Sequence, residues 1–113
     1  MDFESLYPAI PRYAGMRPYS HIPFQWSVHR QLEPDAAPEH FEFLADDDRD
    51  PRREFAISLC DALGKRGPII VYNATFESQR FRDLAEWLSG PCPQARYGKD
   101  CSDTARELIR SAR

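Results

Sequence analysis

Ile69-Ile70-Val71-Tyr72-Asn73-Ala74-Thr75-Phe76-Glu77 is the stretch on which the fold turns. Gly67-Pro68 breaks the chain just ahead of it, and the short apolar run that follows predicts a strand covered on both faces. From about Ala74 to Leu88 a helix is predicted, because Phe81, Leu84, Ala85 and Leu88 recur at helical spacing. Glu77 lies four residues before Phe81, so its carboxylate is predicted to face the sheet rather than water. An acid serving only the helix dipole would do as well on the wet face, where Ser78 and Gln79 fall. The inward position therefore marks a candidate site. Asn73 is read with equal weight as the cap of this helix and as a substrate contact. Phe76 is read first as core packing and second as a ring that stacks on a terminal base.

Upstream, Asp50-Pro51 starts a helix whose apolar stripe is Phe55, Ala56, Leu59, Cys60 and Leu63, with Gly64 as its stop. Before it, Ile22 to Leu32 alternates through Phe24, Trp26 and Val28, and Glu39 to Leu44 through Phe41 and Phe43. These two strands form a hairpin, and Glu33 to Pro38 supplies the turn. Residues 6 to 21, with Pro8, Pro11, Pro18 and Gly15, form a long loop. Residues 1 to 5 read as the end of a strand in which Phe3 faces one side while Asp2 and Glu4 face the other. The order strand, strand, strand, helix, strand, helix matches an RNase H-like α/β layout. Its mixed sheet joins an antiparallel hairpin to parallel central strands and is flanked by helices, here incomplete at both ends. One domain covers residues 1 to 113, with a weakly patterned tail from 89 in which Ser102 to Arg113 forms a short helix.

Composition narrows the function classes. With 15 basic against 18 acidic residues, the net charge of −3 gives no general attraction for nucleic acid or anionic lipid. Cys60, Cys92 and Cys101 show no Cys-x-x-Cys spacing, which argues against a disulfide framework and favours a reducing, cytoplasmic setting. Together with His21, His29 and His40 the cysteines match no familiar zinc arrangement. Neither a membrane span nor a signal peptide is visible, so no membrane partner is expected.

In such a sheet the first strand lies beside the strand after the first helix, and Asp2, Glu4 and Glu77 approach one another at one edge. Three carboxylates so close repel unless cations neutralise them, and oxygen donors of this kind suit Mg²⁺ or Mn²⁺. Arg12, Arg17 and Arg80 are candidate phosphate contacts, although surface arginines are more often merely solvated.

These residues also carry a resemblance. Asp2-Phe3-Glu4 resembles the Asp-x-Glu first motif of DnaQ-like 3′→5′ exonucleases, and Asn73-Ala74-Thr75-Phe76-Glu77 resembles their second motif, with Glu in place of Asp. Ile22-Pro23-Phe24-Gln25-Trp26-Ser27, Asp50-Pro51-Arg52-Arg53-Glu54-Phe55 and Val71-Tyr72-Asn73-Ala74 more closely resemble the bacterial domain of unknown function 2779, which is similar to that exonuclease group. The resemblance covers residues 2 to 88. It implies metal-dependent phosphodiester hydrolysis at a single-stranded DNA or RNA end, with Asp2, Glu4 and Glu77 as catalytic metal ligands. Such exonucleases take a fourth carboxylate four or five residues after a Tyr or His, whereas here Tyr97 is followed at those spacings by Cys101 and Ser102, and Asp100 and Asp103 fall outside the pattern. The alternative expectation is a non-catalytic remnant, or a nucleic-acid or protein binding module of the same fold.

Overall fold

The structure, a computed structural model, describes residues 1–64 and 67–89. Three strands, β1 (Asp2–Leu6), β2 (Ile22–Arg30) and β3 (Glu39–Leu44), are followed by two helices, α1 (Arg52–Leu63) and α2 (Ala74–Ser89). The sheet runs in the order β1-β2-β3 and both pairings are antiparallel. Strand register lines up Phe3, Trp26 and Phe43 across one face. Because side chains alternate, Asp2, Ser27 and Glu42 form a row on the other face, and so do Glu4, Gln25 and Leu44. The first face packs against the helices and the second faces water.

The predicted hairpin is present, and its turn is held from within. The Gln31 side-chain amide donates to the carbonyls of Pro34 and Ala36 at 2.7 and 2.9 Å. Asp50 accepts the Arg52 backbone N–H at 3.2 Å at the start of α1, as expected of it, and also binds the Arg52 guanidinium. At the other end Gly64 takes φ 68°, and its N–H reaches the Cys60 carbonyl at 3.2 Å. That backbone state ends the helix at a residue with no Cβ to clash.

The core joins the inner face of the sheet to one stripe of each helix: Phe55, Ala56, Leu59, Cys60 and Ala62 on α1, and Phe81, Leu84, Ala85 and Leu88 on α2. Leu63, predicted on the α1 stripe, packs at its margin. Phe3 is the point where the three layers meet, with its ring 5.3 Å from both Phe55 and Phe81 in edge-to-face contact. The buried indole of Trp26 donates to the Ser58 hydroxyl at 3.0 Å, so its one polar atom is satisfied.

The parallel central strand expected at Ile69 to Tyr72 is not formed among the described residues, which contain only the antiparallel three-stranded sheet. Ile70 and Tyr72 are instead exposed, at 81% and 97%. The segment does lie beside β1, since the Met1 amino group donates to the Ile70 carbonyl at 2.9 Å. One bond from the residue ahead of a neighbouring strand gives no ladder, and apolar residues turned to water give no packing to replace it. The tail helix expected at Ser102 to Arg113 lies outside the described residues.

Phe55 is fully buried and touches Phe3 and Phe43. Phe55→Ala is expected to cost about 3–5 kcal/mol of stability, read as a large fall in the urea midpoint. A second measurement concerns His21, whose Nδ1 is hydrogen-bonded to the Ser5 hydroxyl at 2.8 Å. Burial holds its pKa below 6.5, the Arg80 charge lowers it further, and Asp83 pulls weakly the other way. The unfolded chain therefore takes up a proton near pH 6.5 more readily than the folded chain, so this group's contribution to stability is complete above that pH and is lost as pH falls below it. Thermal midpoints at pH 7.5 and 5.5 should differ, and His21→Gln should reduce that difference.

Candidate functional site

Glu77 occupies the position that helix periodicity assigned to it. It lies in the first turn of α2 on the stripe that continues through Phe81, and is only 2% exposed. Its Oε2 is buried and has no hydrogen-bond partner. An orphaned buried carboxylate oxygen costs stability, roughly 1–3 kcal/mol for a polar atom of this kind and more if charged. The helix N-terminus offsets part of that cost, since the positive end of the dipole favours a negative side chain.

Asn73 sets the start of the helix. Its side-chain oxygen accepts the Phe76 N–H at 3.2 Å, and its carbonyl accepts the Glu77 N–H at 3.1 Å. The capping role is thus visible directly, and the side chain stays exposed. Phe76 packs partly against the core, with the Arg80 guanidinium 5.2 Å from its ring centre and the His21 ring at 5.8 Å.

Asp2 and Glu4 are exposed on β1 and flank the buried Phe3. Asp2 Oδ1 accepts the Phe3 N–H at 3.0 Å. Alternation turns both acids to the open face, whereas α2 packs Phe81 against Phe3 on the opposite face. The acids of β1 and Glu77 therefore approach the sheet from its two sides. Among the described residues no group of three or more His, Cys, Asp or Glu side chains stands close enough to hold a metal ion. The all-oxygen donor set suits a hard cation, and the orphaned Oε2 is an atom such a cation would satisfy, but the three ligands are not gathered.

The candidate phosphate contacts divide. Arg12 pairs with exposed Asp48 at 3.3 Å, a surface contact of small energetic weight. Arg80 is buried, pairs with Asp83 at 2.9 Å and keeps an unpartnered Nε. Arg17 is exposed and lines a cavity with Arg80, beside the loop that precedes β2. Arg52 shows no role in the sequence alone. It is buried, clamped by Asp50 at 2.6 Å and laid over the Trp87 ring at 4.1 Å, and it lines the same cavity. Its adjacency to Asp50 was the available signal, but an i,i+2 pair across a helix start looks like ordinary surface charge. Tyr7, Tyr19 and His21, of which only the histidine had a reading in the sequence, as a zinc ligand without a matching spacing, form a run of ring contacts.

Cys92, Cys101, Tyr97, Asp100 and Asp103 lie outside the described residues, as does most of the tail expected from 89. Among the described residues no helix is long and apolar enough to cross a membrane. No curated protein and no solved structure matches the chain. A family model does, over residues 1–109, a span that takes in β1, the hairpin, both helices and the Asn73-to-Glu77 turn, and by that match the chain belongs to the family described as domain of unknown function (DUF2779).

Proposed function

We propose that this chain carries the carboxylates of a metal-dependent site for nucleic-acid phosphodiester hydrolysis, of the 3′→5′ exonuclease type, within an RNase H-like domain. The observation that carries the reading is Glu77, a buried first-turn carboxylate with an oxygen left without a partner. A residue kept there for packing alone would be apolar. Asp2 and Glu4, held outward on either side of Phe3, supply the further oxygen ligands. Mg²⁺ or Mn²⁺, when bound, would activate a water and neutralise charge on the leaving oxygen. The chain's own part is to present the acids from a strand and a helix start fixed by a common core. The substrate of this reading is the end of a single-stranded DNA or RNA.

A second reading, a binding module of the same fold without turnover, is favoured by the separation of the three acids. Two measurements decide between them. Labelled single-stranded DNA or RNA incubated with Mg²⁺ or Mn²⁺ is expected to be shortened from its 3′ end. Asp2→Ala and Glu77→Ala should each lower the rate by more than the roughly 10–100-fold that loss of an outer-sphere partner costs a metal site. Absence of cleavage, together with no calorimetric Mn²⁺ binding at millimolar metal, leaves the binding module. Glu77→Met in metal-free buffer probes the orphaned oxygen itself. It is expected to stabilise the fold by about 1–3 kcal/mol, seen as a higher urea midpoint at an unchanged slope, and a loss of stability would show that Oε2 already has a partner.

A further inference from the structure

The loop between β1 and β2 is more ordered than its proline content suggests. Tyr19 N–H bonds back to the Pro8 carbonyl at 2.9 Å, and the Ser20 N–H to the Arg17 carbonyl at 3.2 Å. This closure brings the Tyr19 ring to 5.4 Å from Tyr7, which lies 4.6 Å from His21, which in turn meets Phe76 edge-on at 5.8 Å. Four rings thus run in a row from the loop to the first turn of α2. Tyr7 and Tyr19 are 58% and 57% exposed, so these two rings contribute little to the core. Tyr19 also has φ 60°, a left-handed backbone state that is rare for a bulky residue and costs stability. Strain that holds an aromatic ring in water has no return in folding.

Next to the row is a cavity of about 470 Å³ whose wall includes Tyr19 and His21. Arg17, Arg52 and Arg80 line it, opposed by Asp83 and Glu86. Asp50 occupies Arg52 and Asp83 occupies Arg80, while Arg17 has no ion-pair partner among the described residues. Stacking surfaces beside guanidinium groups are what a single-stranded nucleic acid needs, because every base has a face to stack and every linkage a phosphate to neutralise.

We propose that the Tyr19–Tyr7–His21–Phe76 row is a stacking platform for the bases of single-stranded nucleic acid, with the backbone phosphates directed toward Arg17 at the mouth of the adjoining cavity. This rests on the substrate class of the proposed function and adds the surface that receives the strand. Duplex is excluded from it, since paired bases keep their faces covered.

The test is equilibrium binding of fluorescein-labelled single-stranded oligonucleotides, DNA and RNA, to the full chain in EDTA, followed by anisotropy, with a duplex of equal length as control. Binding without metal separates the platform from hydrolysis: cleavage failing while binding persists sinks only the hydrolytic reading. Single strands are expected to bind more tightly than duplex. Tyr7→Leu and Tyr19→Leu should each weaken binding about 5- to 100-fold, while Tyr7→Phe, which keeps the ring, should bind as the parent does. Arg17→Ala should lower the salt slope by about 0.7. Equal binding of duplex and single strand, leucine variants that bind within twofold of the parent, or a dimer that Tyr7→Leu dissociates would each overturn the proposal, the last in favour of self-association. Urea unfolding of the leucine variants guards against misreading a folding defect, and Tyr7→Phe losing affinity with an intact transition would also count against stacking.

Discussion

The rest of the structure depends on the ring of Phe3. It sits 5.3 Å from Phe55 of α1 and 5.3 Å from Phe81 of α2, meeting them at 73° and 74°. One side chain of the first strand therefore holds both helices to the sheet. Edge-to-face pairs of this kind add roughly 0.5–1.5 kcal/mol each beyond the area they bury. Their larger consequence is register. With Phe3 fixed inward, strand alternation leaves Asp2 and Glu4 no choice but to face water. A slip of one residue would bury two carboxylates against Phe55 and Phe81 and expose the phenyl ring, so the alternative is prohibitively unfavourable. The presentation of the acids is thus a by-product of hydrophobic packing and needs no contact of its own.

Two buried or half-buried arginines fix what the aromatic contacts leave free. Arg52 joins the start of α1 to α2, because its guanidinium is bonded to Asp50 on one edge and stacked on Trp87 on its face. Arg30 ties the end of β2 to the end of α1, donating to the Ala62 carbonyl at 3.4 Å while pairing with Glu39 and lying over Phe41. That contact sets a positive charge at the negative end of a helix dipole. Arginine suits both places, since a planar guanidinium bonds along its edges and stacks on its faces at once. A lysine in either position would forfeit one of the two functions.

Much of this was legible in the chain. The hairpin could be read because Trp26 and Val28 alternate with polar residues opposite the Phe41 and Phe43 pair, and both helices because their stripes repeat at helical spacing. Glu77 was placed inward by the four residues that separate it from Phe81, and its burial follows that arithmetic. The run Ile69 to Tyr72 forms no strand in the described sheet, and the physical reason it reads as one is that a short apolar stretch has no internal signal that distinguishes a strand covered on both faces from an irregular segment with exposed side chains. Nor does alternation say on which side of β1 the second helix docks. Periodicity turned Glu77 toward the sheet but left unspecified the face from which it would arrive. The aromatic row has no signature in the sequence because its members are brought together by a loop closure, at Tyr19 and Pro8, that has no period at all.

The division of the acids limits where a cation could join them. A sheet is one residue thick, and ligands on its two faces can share an ion only at an edge, where no side-chain layer intervenes. β1 is such an edge in the described sheet, and Met1, the residue just ahead of it, is the one that touches the segment leading into α2. Asp2 lies next to that contact, while Glu4 lies further along the strand. Coulomb repulsion between carboxylates opposes their approach in the absence of a cation and reverses to net attraction through the ion when one is bound. Glu77's orphaned oxygen is the atom that would gain most from such an ion, since it has no hydrogen-bond partner of its own.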